Sequence, residues 1–141
     1  NKEVSGMYDH LFHAPEESKD VITRVKNAGK AVGLVTTRGP VSLDRVLDLH
    51  GFTGMFDLVI GGGDVSRRKP HPEPLAIAID KLDVSPNRSI YVGDDQDVDV
   101  AAAKALGMKT ALIGNNPLDP LGPKPTYHWP NLMPLGRRYG R

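Results

Sequence analysis

The 141-residue sequence contains no cysteine, which excludes disulfide bonds and thiolate metal sites. It also lacks any run of about 18–20 apolar residues, the length that a membrane-spanning helix requires. The start, NKEVSGMYDH, is polar and has no apolar signal-peptide core. The net charge is only +1, so the chain lacks the overall basic excess that would indicate nucleic-acid binding. From these absences we expect a cytoplasmic protein that binds neither a membrane nor nucleic acid.

The residues that are present alternate between helix and strand patterns. Apolar residues make up 39% and charged residues 25%, the balance of a single globular domain. Short apolar segments predict strands at 31–37, 56–62, 89–94 and 109–114. Helical patterns run from Pro15 to a stop at Gly29, and then over 40–50, 73–83 and 99–107. This alternation indicates an α/β fold with a parallel sheet, whose functional residues lie at the carboxyl ends of the strands.

The strongest chemical signal lies in the segment IYVGDDQDVDVAAAKALGM. Directly after the predicted strand, four aspartates occur within six residues: Asp94, Asp95, Asp97 and Asp99. Like charges this close are unfavourable unless a cation or solvent screens them. Carboxylate oxygens are the ligands that suit Mg²⁺. Taken alone, however, such a cluster is also typical of an acidic helix N-terminus that the helix dipole stabilises.

Two other segments carry residues that suit phosphate binding. Lys69 lies between a glycine-rich loop and a Pro-x-Pro-x-Pro run, and on such a stiffened segment its ammonium could contact a phosphate or balance nearby carboxylates. Thr36 and Thr37 follow the apolar residues GLV, where a hydroxyl could donate to a phosphate oxygen. Each feature alone is more often structural, as a solvated lysine or a threonine that ends a strand.

The order of these segments resembles motifs two, three and four of the haloacid dehalogenase (HAD) superfamily. The motifs are a strand followed by threonine, a lysine before Pro-x-Pro-x-Pro, and a strand that ends in Gly-Asp-x-x-x-x-Asp. The stretch FDLVIGGGDVSRRKPHPEPL is most similar to the phosphoglycolate-phosphatase-like group. The resemblance covers about residues 14–135. It implies an α/β fold in three layers, a Rossmann-like HAD core with a parallel sheet.

The resemblance also implies a function and a role for each matched residue. Thr36, with Thr37 beside it, would bind the phosphoryl group of the substrate, and Lys69 would stabilise negative charge there. The candidate metal residues are Asp94 as a ligand, Asp99 as a direct or water-mediated support, and Asp95 as a further helper. The implied enzyme is a Mg²⁺-dependent phosphatase of a small phosphorylated metabolite, which reacts through an aspartyl-phosphate.

The family reaction also needs a first motif, a strand that ends in Asp-x-Asp and lies in the middle of the sheet. No such segment precedes Thr36, and Asp97-Val98-Asp99 falls inside motif four without an apolar strand directly before it. We therefore expect residues 1–141 to lack the central N-terminal strand and most of the cap, and to be inactive alone. The missing strand would lie upstream in the intact protein or come from a companion chain, and a homo-oligomer is a further option.

Other functions stay open on these residues, among them a mutase of phosphorylated sugars. Another is a non-catalytic HAD-like protein that binds a ligand or a partner, and a third is a haloacid dehalogenase, which would not need Mg²⁺. The chain divides into 1–13, a remnant of a cap or linker, 14–114, the core, and 115–141, a proline-rich segment. Six prolines from Pro117 to Pro134 exclude a long helix in this last segment, although an edge strand is expected near 127–129.

Overall fold

The structure is a computed structural model that describes residues 14–37 and 39–139. The segment 1–13, interpreted above as a cap or linker remnant, lies outside the described residues. In chain order the elements are α1 (Pro15–Asn27), β1 (Gly33–Val35), α2 (Pro40–Leu49), β2 (Leu58–Ile60), α3 (Glu73–Leu82), β3 (Ile90–Gly93), α4 (Ala101–Lys104), β4 (Lys109–Ile113), β5 (Tyr127–Trp129) and α5 (Met133–Tyr139). None of the described helices is long and apolar enough to cross a membrane.

The strands form two parallel sheets. β1 pairs with β2, with Leu34 opposite Val59, and the second sheet has the order β3-β4-β5. Each predicted strand appears at its predicted position, but each is shorter, since residues at its ends belong to turns. The expected edge strand is present as β5, which pairs with β4 from Ala111 to Ile113.

Helices cover both faces of the strands and give three layers. On one face, α1 packs against both sheets, because Ile22 contacts the core around Leu34 and Val21 contacts the core around Val92. On the other face, α3 and α4 pack on Val35 and Ile60 through Leu75, Ala78, Ala102 and Ala103. The neighbouring residues Leu34 and Val35 point to opposite faces, as in any strand that is buried on both sides.

An apolar groove separates the two sheets. The described residues place no strand between β1 and β3, and a cavity of about 470 Å³ lies there. Its walls include Val35 of β1, Val92 of β3, Val21 and Val25 of α1, and Ala78 of α3. We call this space the interstrand groove. The fold is therefore a three-layer α/β arrangement of parallel strands, as the sequence predicted, and the described residues place no strand between β1 and β3.

Two elements differ from the sequence-based expectation. A short helix, α5, begins at Met133 inside the proline-rich segment, because Pro134 lies in its first turn, where a missing N–H costs nothing. The helix that was predicted to begin at residue 99 starts earlier, as a π-helical turn over Gln96–Val100 that continues into α4. Asp95 caps that turn and therefore defines its start.

Candidate active site at the carboxyl ends of β1 and β3

Asp99 lies at the centre of the polar contacts that follow β3. Its side chain is only 2% exposed, and its Oδ1 accepts a hydrogen bond from Lys69 Nζ at 2.7 Å. Its Oδ2 accepts from the backbone N–H groups of Asp94 and Asp95, each at 3.1 Å. Gly93 leaves room for this carboxylate, since a Cβ atom at position 93 would overlap it. The carboxylate of Asp99 thus fixes both Lys69 and the segment 94–99, which we call the acidic loop.

Lys69 reaches this carboxylate from the loop that precedes α3. Its side chain is 5% exposed, and its ammonium also donates to the hydroxyl of Tyr91 at 2.7 Å. Burial lowers the pKa of Lys69, but the favourable interactions with Tyr91 and Asp99 outweigh this effect and leave the pKa raised. Burial raises the pKa of Tyr91 to about 12, so its hydroxyl is protonated at neutral pH. Asp99 is then the negative charge that keeps the ammonium protonated.

Glu73 holds the Lys69 loop in place. Its two carboxylate oxygens accept from the backbone N–H groups of Ser66 and Arg67 at 2.9 and 3.0 Å. Its own N–H donates to His71 Nδ1 at 3.0 Å. The sequence placed Glu73 only at the start of a helical pattern, and nothing in that pattern indicated that Glu73 also orders the loop. The two hydrogen bonds to Glu73 depend on the conformation of the loop, which the sequence pattern does not reveal.

The remaining aspartates of the acidic loop have different environments. Asp95 Oδ1 accepts from the N–H groups of Asp97 and Val98, so its side chain serves as a helix cap. Asp94 is exposed directly after β3. Among the described residues, no three His, Cys, Asp or Glu side chains converge as a complete metal site.

The environments of the aspartates differ in how well they suit Mg²⁺ binding. The ion takes one or two carboxylates and keeps several waters. Both oxygens of Asp99 are engaged and Asp95 caps a helix turn, whereas Asp94 is exposed directly at the carboxyl end of β3. The chemistry of these donors fits part of a Mg²⁺ site, which Asp94 would ligate and whose loop Asp99 would orient.

Thr36 and Thr37 follow the carboxyl end of β1, in the other sheet. Thr36 is 6% exposed and continues the line of β1, because its N–H donates to Ile60 O at 2.9 Å. Thr37 is half-buried in the turn that follows. Thr36 thus directly follows β1 and Asp94 directly follows β3, and residues of both strands, Val35 and Val92, line the groove. The structure brings Lys69, Asp94, Asp95 and Asp99 together through direct contacts, whereas Thr36 and Thr37 lie at the end of the other sheet.

Comparison with known proteins places this arrangement in a family. The family profile of the haloacid dehalogenase-like hydrolases matches residues 2–113. The chain belongs to this family. It is 34% identical over 106 residues to the pyrophosphatase PpaX of Bacillus cereus, a match that covers 75% of this chain and 49% of that protein. The PpaX of Bacillus thuringiensis matches with the same identity and coverage. The chain spans about half the length of these curated relatives.

Solved structures of the family share the fold. A HAD phosphatase from Thermococcus onnurineus superposes with a TM-score of 0.76 and 28% identity, over 92% of this chain and 62% of that one. A dehalogenase solved with its intermediate superposes with a TM-score of 0.80 and 21% identity, over 89% of this chain and 56% of that one. The same fold thus occurs in a protein named a phosphatase and in one named a dehalogenase. The site, rather than the fold, must distinguish between them.

Proposed function

We propose that this HAD core belongs to a Mg²⁺-dependent phosphatase of a small phosphorylated metabolite. The observation that carries the proposal is the buried Lys69–Asp99 pair at the end of β3, beside the exposed carboxylate of Asp94. A buried ammonium whose charge is held by one carboxylate is suited to stabilise a phosphoryl group. Phosphatase-type relatives support the same class of substrate, because the curated matches are named pyrophosphatases and one solved relative is a HAD phosphatase.

The residues of this chain would have complementary roles in such a reaction. Thr36 would donate a hydrogen bond to a phosphoryl oxygen, and Lys69 would stabilise the negative charge on the phosphoryl group and its attacking carboxylate. Asp94 would hold Mg²⁺, with its loop fixed by Asp99. When bound, the ion would neutralise charge between nucleophile and phosphate.

The nucleophile is proposed to come from a strand that fills the interstrand groove. A strand between β1 and β3 would end beside Thr36 and Asp94, so an aspartate at its carboxyl end would face both. Its carboxylate would form a bond to phosphorus as the bond to the leaving oxygen breaks, and water would then hydrolyse the aspartyl-phosphate. The strand would belong to the same polypeptide, to a companion chain or to a second copy in a homo-oligomer. A cytoplasmic location is part of the same proposal.

The test uses the full-length natural polypeptide that contains this sequence. Release of inorganic phosphate from a panel of phosphorylated metabolites is measured with Mg²⁺ and with a chelator. We expect turnover only with Mg²⁺, and a loss of roughly 100-fold or more in kcat/KM for Lys69→Met and Asp94→Asn. Lys81→Met and Asp97→Asn, which change exposed residues, are the matched controls and should retain activity.

Each alternative function has a distinct outcome in this assay. A polypeptide that carries a strand for the groove but releases no phosphate from any substrate would favour a non-catalytic binding protein. Halide release from a haloacid that the chelator leaves unchanged would favour a dehalogenase. Light scattering of the same sample determines whether a second chain is present.

A further inference from the structure

Beyond the residues of the known motifs, the hydroxyl of Tyr91 contacts the proposed catalytic lysine. Tyr91 lies on β3, three residues before Asp94, and its hydroxyl accepts a hydrogen bond from Lys69 Nζ at 2.7 Å. Its ring packs in the core cluster that contains Val35, Leu75 and Ala78. Apolar packing therefore fixes the ring, and the fixed ring places the hydroxyl. A tyrosine in a strand is usually a core residue, but this one presents its polar end to a buried charge.

The ammonium of Lys69 has two acceptors of different kinds. Asp99 supplies a negative charge, whereas Tyr91 supplies a neutral oxygen, because its hydroxyl remains protonated at neutral pH. An ammonium has three N–H groups, and these two contacts use two of them. Two acceptors define the direction of the third N–H group, which one acceptor alone would leave free to rotate. A neutral acceptor does so without cancelling further positive charge.

We propose that Tyr91 is a positioning residue for Lys69, which aims the third N–H group of the ammonium at the phosphoryl group of the substrate. This inference rests on the proposed phosphatase function and adds a residue to it. Removal of the Tyr91 hydroxyl leaves the Lys69–Asp99 ion pair intact. It should therefore affect the orientation of the ammonium more than its charge. Such a loss lowers the rate of the chemical step more than the affinity for substrate.

The experiment compares Tyr91→Phe with Tyr127→Phe in the full-length natural polypeptide. Tyr127 is the matched control, since its hydroxyl also accepts from a cation, Arg138 at 2.9 Å, but on β5 and away from Lys69. We expect Tyr91→Phe to lower kcat roughly tenfold, equivalent to about 1.4 kcal/mol of transition-state stabilisation, with KM changed less than about twofold. Tyr127→Phe should change neither constant. Equal kcat in Tyr91→Phe and the wild type would overturn the inference.

A double substitution separates positioning from general destabilisation. If Tyr91 acts only through Lys69, Tyr91→Phe combined with Lys69→Met should be no slower than Lys69→Met alone, within about twofold. A further additive loss of about tenfold would mean that Tyr91 acts by another route, and would overturn the inference. Absence of activity in the wild type would instead contradict the proposed function, so the two failures are distinguishable.

A spectroscopic measurement needs no activity and no folded variant. In the wild type, the ¹⁵N-labelled ammonium of Lys69 should give a resolved NMR signal with slow hydrogen exchange, because its hydrogen bonds are buried. Exposed lysines such as Lys81 exchange too fast to be seen in the same spectrum and are the internal control. A Lys69 signal that exchanges as fast as those of exposed lysines would contradict the two-acceptor geometry. Where Tyr91→Phe folds, its Lys69 signal should broaden.

Discussion

The two sheets differ in how their loops and strands are held. In the β3–β5 sheet, polar side chains make the connections, through hydrogen bonds that are partly buried or exposed. Thr110 and Thr126 each accept from the backbone N–H of the other at 3.0 Å. The amide of Gln96 bonds to Asp119 and to Pro123 O and thereby ties the proline-rich loop to the acidic loop. Together with Asp99, the contacts of Gln96 order the acidic loop.

The polar connections of the β1–β2 sheet lie mainly at its partly exposed edge, which we call its rim. Its side-chain connections include Asp57, which accepts from the N–H of Val32 at 2.8 Å, and Lys26, which donates to Met55 O at 3.1 Å. Both charged side chains are about one third exposed. Its core, around Phe52 and Leu34, is apolar. The β3–β5 sheet thus carries the buried Lys69–Asp99 pair and part-buried polar contacts. The β1–β2 sheet depends more on apolar packing, including that of α1, which packs against both sheets.

The largest effect is expected for Asp99→Asn, which breaks the buried network. The amide oxygen can accept from one side only, so the amide NH₂ would face either the Lys69 ammonium or the two backbone N–H groups. Loss of one partner of a buried ion pair costs about 3–5 kcal/mol. The free energy of unfolding, from urea denaturation, should fall by that amount. Asp97→Asn, in the same loop but exposed, should stay within about 0.5 kcal/mol of the wild type. A loss below about 1 kcal/mol for Asp99→Asn would mean that water reaches the pair.

The next largest loss of stability is expected when a glycine of the β3–β5 sheet, rather than one of the β1–β2 sheet, is replaced by alanine. Gly93→Ala would place a Cβ atom against the buried Asp99 carboxylate, whereas Gly33→Ala would meet the tip of Leu82 at 3.2 Å, which can rotate away. Overpacking of a rigid buried site costs about 1–3 kcal/mol. The thermal unfolding midpoint should therefore fall for Gly93→Ala and change little for Gly33→Ala. Equal changes in both variants would contradict the difference between the sheets.

Thr110→Val should give a smaller loss. Thr110 is 1% exposed, and its hydroxyl accepts from the N–H of Thr126. Valine keeps the shape but removes this part-buried hydrogen bond, which costs about 0.5–1.5 kcal/mol because water can reach the exposed Thr126. Thr53→Val, at an exposed position, is the control and should be within about 0.5 kcal/mol of the wild type by urea denaturation. An unchanged Thr110→Val variant would mean that water replaces the hydroxyl.

Much of the fold, but less of the candidate site, could be predicted from the sequence. Apolar segments between helical patterns located the strands because buried parallel strands are nearly continuous apolar runs. Lys69, Asp94 and Asp99 could be grouped since carboxyl ends of parallel strands meet at one edge. The pattern could not show that Asp99 has both oxygens engaged by Lys69 and two backbone N–H groups, because that depends on loop conformation. Tyr91 escaped notice because a tyrosine in an apolar strand fits a core residue equally well.

The smallest effect is expected at the rim of the β1–β2 sheet, for Asp57→Asn. The hydrogen bond from Val32 N–H, followed by the charge of Lys26, lowers the pKa of Asp57 below its usual value of 3.8, although burial opposes this. A lowered folded-state pKa means that the ionised carboxylate stabilises the folded chain above pH 3.8, and that this contribution is lost as the pH falls through the lowered pKa. Because the side chain is 38% exposed, solvent limits the contribution to less than about 1 kcal/mol.

Urea denaturation of wild type and Asp57→Asn at pH 7 and at successively lower pH measures this contribution. The wild type should be slightly more stable at pH 7, and the difference should shrink once the pH falls below 3.8. Asp48→Asn, an exposed carboxylate on α2, is the control for the general effect of acid. A difference for Asp57→Asn that stays constant with pH would mean that the asparagine alters packing rather than charge. If Asp57→Asn lowered the free energy of unfolding as much as Asp99→Asn does, the polar contacts at the rim of the β1–β2 sheet would stabilise the fold as strongly as the buried Lys69–Asp99 pair.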